Sequence, residues 1–311
     1  MARKLRVEYP GAVYHLINRG DRREAIFLDD PDRERFLGTL GEACAKTSWQ
    51  VHAFCLLPNH FHLVVETPRA NLVAGMKWFL GTYTSRFNRR HKCFGHLFSG
   101  RYKSLVVDGS GKGYLKTVCD YVHLNPVRAR LLAPKEAVHR YRWSSYPLYL
   151  EAPARRPRWL RVERLLGEYG IARDSAEGRR QFAGELEARR QGEADKEFKP
   201  VRRGWCLGGE GFRQELLEQI AGQRSACHDG EELVESEEAR AHRLIEHALR
   251  KKGWGVEALR ARRKGDPFKV RLAEQLRAQT TVTARWIAKH LHMGTRGHLT
   301  HLLYHHGKQA S

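Results

Sequence analysis

The first 125 residues alternate between apolar patterns typical of strands and patterns typical of helices. Short β-branched or aromatic segments predict four strands, at residues 12–18, 50–57, 60–66 and about 102–107. Capping residues and apolar positions at helical spacing predict three helices, at about residues 30–46, 71–90 and 114–124. The order β-α-β-β-α-β-α predicts an α+β fold, a ferredoxin-like antiparallel sheet with its helices on one face.

The composition changes after Leu150. Residues 152–158 are rich in proline and arginine, and residues 160–200 are charged with helical propensity. A helical pattern resumes at about residues 231–252. We therefore predict three parts: a sheet-containing domain at 9–150, a charged, helical and partly flexible linker at 151–230, and a mainly α-helical domain at 231–311.

The last segment has the spacing of a helix-turn-helix. Trp286, Ile287 and Leu291 form one short apolar helix face, residues 292–294 read as a turn, and residues 297–303 predict a second helix. In such a unit the second helix enters the major groove. An ordinary helical hairpin would give the same pattern. The side chains expected to contact DNA here are Arg285, Lys289, Thr295, Arg296, His298 and Thr300.

The charge of the chain favours a polyanionic partner. Lys and Arg number 56 against 35 acidic residues, a formal net charge of +21, and arginines recur beside aromatic residues, as in Arg101-Tyr102-Lys103. Arginine binds phosphate, and aromatic rings stack on unpaired bases. No apolar run approaches the roughly 20 residues of a membrane span. We expect a soluble, cytoplasmic protein that binds nucleic acid.

Six cysteines are present and none forms a CxxC pair, which argues against a zinc ribbon or a thioredoxin-type site. We expect most of them to be small buried residues in a reducing compartment.

The pair His60 and His62 lies on the third predicted strand. Residues i and i+2 of a strand point to one face, so the two imidazoles lie side by side, whereas Phe61 between them faces the other way. Two neutral imidazoles bind a divalent metal well but do not complete a site, and many such pairs are structural.

The segment YVHLNP places Tyr121 and Asn125 four residues apart on a helix, so they share a face. A phenol and an amide oxygen can thus reach the same metal ion. Tyrosine is a poor nucleophile when protonated, and a metal that polarises a phosphate makes its attack feasible. A core tyrosine and an asparagine that ends a helix before Pro126 would give the same pattern.

Five motifs connect these residues to a known family. PGAVYHLINRG, LLPNHFHLVVE, FSGRYKS, YVHLNPVRARL and YRWSSY occur in this order over about residues 9–149. Together they resemble the single-tyrosine HUH transposases (His-hydrophobic-His) and, among these, the REP-associated tyrosine transposases. The resemblance implies a ferredoxin-like catalytic domain that binds Mg or Mn. It also implies cleavage of single-stranded DNA at or near imperfect palindromes that fold into hairpins.

The resemblance also implies roles for individual residues. His60 and His62 match the metal ligands, and Tyr121 matches the nucleophile that becomes linked to a DNA 5′-phosphate. Asn125, where the wider group often has glutamine, is the expected third ligand, with a side chain shorter by one methylene. The expected DNA contacts are Asn18, Arg19, Arg101, Tyr102, Lys103 and Arg128. His123 would point to a different helix face and is not assigned to the metal.

Three other functions stay open at this point. A regulator on the same fold would bind palindromic nucleic acid without cleaving it, and a phosphodiesterase would use water as its nucleophile. A rolling-circle replication initiator shares the HUH pair but is more often joined to a helicase, and no GxxxxGK[ST] loop occurs here. For the transposase, we expect single-stranded and hairpin DNA as partner, with duplex flanks on the C-terminal unit, and a monomer or homodimer.

Overall fold

The computed structural model describes residues 6–191, 198–226 and 237–309. The chain divides into two compact units, Met1–Cys44 with Ser48–Asp229, and Gly230–Ser311 with Ala45–Thr47. Over the described ranges, no helix has both the length and the apolar character that crossing a bilayer requires.

The first unit is built on a five-stranded sheet. The strands are β1 (Ala12–Arg19), β2 (Gln50–Leu57), β3 (His60–Thr67), β4 (Lys103–Val107) and β5 (Cys206–Leu207), in the spatial order β2-β3-β1-β4-β5. The first four strands pair antiparallel in the ferredoxin-like order. The short β5 pairs parallel with β4. The sheet is therefore mixed, whereas the sequence predicts a purely antiparallel one.

Nine helices of the first unit fall in the described residues. They are α1 (Asp30–Thr47), α2 (Leu72–His91), α3 (Tyr114–His123), α4 (Asn125–Arg128), α5 (Tyr146–Leu150), α6 (Glu163–Glu168), α7 (Ala176–Gln191), α8 (Lys199–Arg203) and α9 (Glu210–Ala226). Helix α1 begins where the Asp29 carboxylate accepts the N–H of Asp32, with Pro31 in the first turn, as its capping residues predict.

Helices cover both faces of the sheet, and this corrects the expectation of helices on one face. The ring of Phe61 packs against Phe36 of α1, with 5.0 Å between centroids, and against Phe79 of α2. The next residue, His62, contacts Tyr121 of α3 at 5.6 Å. Because successive side chains of a strand point to opposite faces, α3 lies on the face away from α1 and α2.

The segment after Leu150 packs into the first unit, whereas its composition predicts a linker. Phe182 of α7 is fully buried, stacks on Tyr149 at 5.1 Å and meets Tyr169 edge-on at 5.0 Å. It also contacts the buried imidazole of His123, which faces away from the cleft described below, as expected. The two large apolar residues of α7, Phe182 and Leu186, are buried in this core, and none of its charged residues is buried.

The second unit is helical in all its described parts. Its helices are α10 (Glu237–Lys251), α11 (Glu257–Ala261), α12 (Pro267–Gln279), α13 (Ala284–His290) and α14 (Arg296–Gln309). They enclose a separate core that contains Ile245, Leu276, Ile287 and Leu299. The fold class, an α+β domain followed by a mainly helical C-terminal region, is therefore confirmed. The start of the helix predicted at 231–252 falls outside the described residues.

A tight turn joins α13 to α14. His292 and Gly294 both have a positive φ, of 49° and 87°, and Met293 between them is buried in the core. The buried ammonium of Lys269 donates to the carbonyl oxygens of His292 and Arg262, which holds the turn in place. Binding of DNA by these two helices stays a prediction.

The packing of α7 predicts that Phe182 supports the stability of the first unit. Phe182→Ala should lower the free energy of unfolding by about 3–5 kcal/mol, because it removes a large buried ring among aromatic neighbours. Arg180→Ala, on the exposed side of the same helix, is the matched control and should change it by less than about 0.5 kcal/mol. Urea denaturation of the full chain measures both. Equally small decreases in the free energy of unfolding for both variants would mean that this segment is a linker and not part of the core.

Candidate active site

A cleft of about 490 Å³ opens at one end of strands β1, β3 and β4 and beside helix α3. It brings together side chains that are far apart in the sequence. Its lining residues are Ile17, Asn18, Arg19, Gly20, Arg22, Arg23, His60, His62, Ser99, Arg101, Lys103, Tyr121, Asn125 and Arg202.

The charged groups of this cleft are all of one sign. Six of the lining residues are Arg or Lys, and none of those described is Asp or Glu. Arg22 and Arg23 both have a positive φ, of 50° and 65°, which is uncommon for residues other than glycine. Such a cleft attracts polyanions.

His60 is held in one tautomer by its neighbour. Its Nδ1 lies 2.7 Å from Oδ1 of Asn59, and the amide nitrogen of Asn59 donates to the carbonyl oxygen of Arg23 at 3.0 Å. Asn59 therefore offers an acceptor, so His60 carries its proton on Nδ1 and keeps a lone pair on Nε2. Burial lowers the pKa of His60 to about 4, which keeps the ring neutral at physiological pH.

His62 makes a hydrogen bond at each of its ring nitrogens. Its Nδ1 lies 2.9 Å from Nε2 of His15, and its Nε2 lies 3.3 Å from Nδ2 of Asn125. An amide N–H only donates, so Nε2 of His62 accepts and its proton is on Nδ1, donated to His15. Burial lowers the pKa of His15 to about 3 and places that of His62 well below its usual value, so both rings are neutral.

These donors fit a divalent metal ion. With the proton of each ring on Nδ1, Nε2 of both His60 and His62 keeps a lone pair. A metal ion on Nε2 of His62 would replace the hydrogen bond from Asn125, whose amide could then turn by 180° and offer Oδ1 to the same ion. Across the described ranges, no group of three or more His, Cys, Asp or Glu side chains suits a metal. The carboxamide of Asn125 would thus be the third protein donor, with other positions open to water and phosphate.

Tyr121 reaches the same cleft from α3. Its ring lies 5.7 Å from that of His15 and 5.6 Å from that of Phe198, measured between centroids, in addition to its contact with His62. The guanidinium of Arg128 stacks over it at 4.4 Å and donates to the Tyr121 carbonyl oxygen at 2.6 Å. The phenol ring is thus in contact with two imidazoles, with Phe198 and with Arg128.

The helix that carries Tyr121 is fixed through the preceding residue. The Asp120 carboxylate is fully buried, accepts a hydrogen bond from the hydroxyl of Tyr169, and forms an ion pair with Arg189 at 2.6 Å. Both partners come from the segment after residue 150. Removal of either would leave a buried charge with less compensation, so this contact strongly constrains the position of α3.

The structure brings together all four residues predicted for the chemistry, His60, His62, Tyr121 and Asn125. Among the predicted DNA contacts, those that line the cleft are Asn18, Arg19, Arg101 and Lys103. The six residues predicted on the helix-turn-helix, Arg285, Lys289, Thr295, Arg296, His298 and Thr300, are exposed in the second unit.

Two predicted DNA contacts lie elsewhere. Tyr102 is buried, with the guanidinium of Arg6 at 3.7 Å from its ring centroid, and it does not line the cleft. Arg128 supports the ring of Tyr121 and packs on Phe198 at 4.5 Å rather than lining the cleft. Contact of either residue with DNA stays a prediction.

Sequence reasoning missed His15, Phe198 and Arg202. His15 had a usable signal, because it lies two residues before Ile17 on the same strand face, and Ile17 pairs with His62. That register became known only with the fold. Phe198 and Arg202 come from a region that reads as a charged linker, and no local pattern marks them.

Comparison with known proteins supports the predicted family. Residues 9–125 match the family model described as Transposase IS200 like. The family resemblance predicted from the motifs is therefore confirmed over this range. A search of the curated proteins gave no significant match.

One solved structure is also similar to the chain. It is described as a REP-associated tyrosine transposase bound to a REP hairpin, and it is 15% identical in sequence, with a TM-score of 0.41. The alignment covers 50% of the present chain and 87% of that one.

The hydrogen bond from His62 to His15 generates a prediction about tautomers. His15→Phe keeps an aromatic ring but removes the acceptor, and a buried unpaired N–H costs about 1–3 kcal/mol. His62 should therefore move its proton to Nε2, with the Asn125 amide turned to accept it. His15→Gln, which can still accept, should preserve the Nδ1–H form. Two-bond 1H–15N correlation spectra of the metal-free protein distinguish the two forms, and an unchanged Nδ1–H form in His15→Phe would contradict the assignment.

Proposed function

Starting from the match of residues 9–125 to the IS200-like transposases, we propose that the protein is a DNA nuclease and strand transferase with Tyr121 as its nucleophile. The observation that carries this proposal is the shared cleft. A phenol, two neutral imidazoles and a carboxamide meet there, and every charged lining residue is cationic. Uncharged side chains surrounded by cationic ones suit the binding of a phosphodiester, because the phosphodiester carries a negative charge.

The proposed substrate is single-stranded DNA at a palindrome that folds into a hairpin. The hairpin part rests on the motif resemblance over residues 9–149. The requirement for a single strand also has a physical reason, because a buried tyrosine held by Phe198 and Arg128 needs a flexible backbone to bring the phosphorus to it. Arg19, Arg101 and Lys103 line the cleft and are the residues we propose to bind the phosphates on either side.

The reaction conserves the energy of the phosphodiester. The Tyr121 hydroxyl oxygen attacks phosphorus in line, a P–O bond to Tyr121 forms, and the bond to the 3′-oxygen breaks. The phenol proton is released to solvent while the departing 3′-oxygen takes up a proton. A 3′-OH of another strand then attacks the phosphotyrosine, which joins the two strands and restores the phenol. No nucleotide cofactor is needed for this exchange.

We propose Mg or Mn as the metal, held by Nε2 of His60, Nε2 of His62 and Oδ1 of Asn125. When bound, the ion would polarise the scissile phosphate and stabilise negative charge on its oxygens. The residues around it have separate tasks. Asn59 and His15 orient the two imidazoles, as hydrogen-bond partners behind metal ligands generally do, and Arg128 with Phe198 orients the phenol.

Covalent trapping tests the nucleophile. An oligonucleotide with a hairpin and single-stranded flanks, incubated with the full chain and Mn, should give a protein–DNA adduct that survives denaturing electrophoresis. Tyr121→Phe should abolish the adduct and the cleavage, because no other group takes the place of the phenol oxygen. Tyr114→Phe, at the other end of α3, is the matched control and should form the adduct normally.

The other possible outcomes identify the competing functions. Cleavage that persists in Tyr121→Phe without an adduct would show a nuclease that uses water. Tight binding of the hairpin by the wild-type protein, with neither cleavage nor adduct in Mg or Mn, would show a regulator on the same fold. Either result would overturn the proposed chemistry.

For the second unit, we propose that α13 and α14 bind the duplex flank. Arg296, His298 and Thr300 are exposed along the first turns of α14, and Arg285 and Lys289 are exposed on α13. Leu299 and Leu303 of α14 are buried in the core, so the polar side of this helix is the side free to enter a groove.

Charge removal on α14 tests this assignment. Arg296→Ala should weaken binding of a duplex-flanked hairpin by about tenfold, because a phosphate or base contact is lost. Arg250→Ala removes the same charge from an exposed position on α10 and is the control. Binding is measured by fluorescence anisotropy at fixed salt. Equal effects of the two variants would mean that only net charge matters, and adduct formation on short single strands should not change in either.

A further inference from the structure

Phe94 is the most exposed large apolar residue among those described. Its relative accessibility is 98%, against 37–60% for the other exposed large apolar side chains. Most exposed apolar residues need no explanation, because partial exposure is common. A phenylalanine with almost no contact to its own chain is different, since its ring contributes nothing to the core.

The turn that carries Phe94 is held in place by hydrogen bonds. Asn88 of α2 donates from its amide nitrogen to the carbonyl oxygen of Gly95 at 3.0 Å and accepts the N–H of Cys93 on its backbone oxygen at 2.9 Å. Two residues after Leu97, the N–H of Ser99 donates to the carbonyl oxygen of Arg19 at 2.8 Å. Phe94 is therefore an exposed side chain on a turn whose backbone is held by hydrogen bonds.

This turn adjoins the rim of the cleft. The N–H of Asp21 donates to the carbonyl oxygen of Leu97 at 3.0 Å, and the next two residues, Arg22 and Arg23, line the cleft. Phe94 precedes Leu97 by three residues, so their Cα atoms lie within about 10 Å of each other. Phe94 thus lies on a segment that is hydrogen-bonded to the chain immediately before two cleft arginines.

The surrounding sequence favours a nucleic-acid partner. Residues 88–103 contain no Asp or Glu and carry five Arg or Lys residues, among them Lys92, two residues before Phe94. One of the five, Arg90, forms ion pairs with Asp29 and Asp32. A protein partner for a single exposed ring would need a larger apolar patch around it, and the flanks here are cationic. An aromatic ring beside cations that bind phosphate is the combination that holds an unpaired base.

We propose that Phe94 stacks on an unpaired base of the DNA strand that leaves the cleft past Arg22 and Arg23. This deepens the proposed function, on which it rests, because it gives the site a contact outside the cleft for single-stranded DNA beside the hairpin. The fixed turn favours such a contact, since little further ordering is required on binding. Stacking on one aromatic ring changes affinity by roughly 5- to 150-fold.

The experiment compares two lengths of DNA on the full chain. One oligonucleotide has the hairpin with single-stranded extensions of about ten nucleotides on both sides, and the other has the same hairpin with the extensions trimmed to the cleavage region. Phe94→Ala should weaken binding of the long DNA by roughly 5- to 150-fold and leave binding of the short one unchanged. Phe94→Trp should restore the wild-type affinity, and Leu28→Ala, 59% exposed, is the matched apolar control.

A fluorescent base shows whether stacking occurs. 2-Aminopurine, placed at successive positions of each extension, should be quenched at one or two positions by the wild-type protein and by Phe94→Trp, but not by Phe94→Ala. Equal losses of affinity for both DNA lengths, or no loss for either, would overturn the proposal. So would a loss of self-association in Phe94→Ala with DNA binding unchanged, which would assign the ring to a protein contact.

The failure of the proposed chemistry is distinguishable from the failure of this inference. Tyr121→Phe removes the adduct but should keep the length-dependent effect of Phe94 on binding. A protein that forms no adduct yet shows this effect would have lost the nuclease proposal and kept the stacking contact. A protein that forms the adduct but shows no length-dependent effect of Phe94 would keep the nuclease proposal and lose the stacking contact.

Discussion

The register between β1 and β3 is the constraint on which the candidate site depends. Ile17 pairs with His62 and Arg19 with His60, so His15 and both imidazoles of the HUH pair share the face that α3 covers. A slip of one residue would turn every side chain of the strand over. It would move Phe61 out of the aromatic cluster with Phe36 and Phe79 and would turn the imidazoles toward α1 and α2 instead. The apolar packing of α1 and α2 on the other face thus fixes which side of β3 is available for chemistry.

The second requirement is a fixed α3, and the structure meets it with residues far from the motifs. Asp120 faces the core and binds Tyr169 and Arg189, while its neighbour Tyr121 faces the cleft. One residue therefore anchors the helix and the next presents the phenol. Because both partners of Asp120 follow residue 150, a part of the chain whose composition predicts a linker helps to position Tyr121. The region matched by the family model, residues 9–125, contains Asp120 but neither of its two partners.

Local signals and long-range contacts explain what the sequence predicted and what it did not. The strand β2 was predicted at its observed bounds, and β1 and β3 to within one residue, because alternation and the Pro58-Asn59 turn are local features. The four chemical residues were found from spacing and motif resemblance, and they do line one cleft. The helix on the second face, the parallel β5 and the contribution of Phe198 and Arg202 depend on pairing between distant segments. The burial of Phe182 could not be predicted, because α7 is mostly charged and a single aromatic residue does not produce a detectable helical periodicity.

The cleft combines neutral imidazoles with six cationic side chains, and this combination determines its electrostatic potential. Desolvation is the main cause of the lowered pKa values of His60 and His62, and the charge of Arg19 lowers both further, with Arg128 adding to the effect on His62. Burial is therefore the main reason that the imidazoles stay unprotonated with their lone pairs available, and Arg19, a cation of the cleft that would attract a phosphate, adds to it. A carboxylate ligand would work against this arrangement, because it would cancel part of the attraction for DNA. An amide such as that of Asn125 would supply an oxygen without charge, which would leave the positive potential of the cleft available to a phosphate.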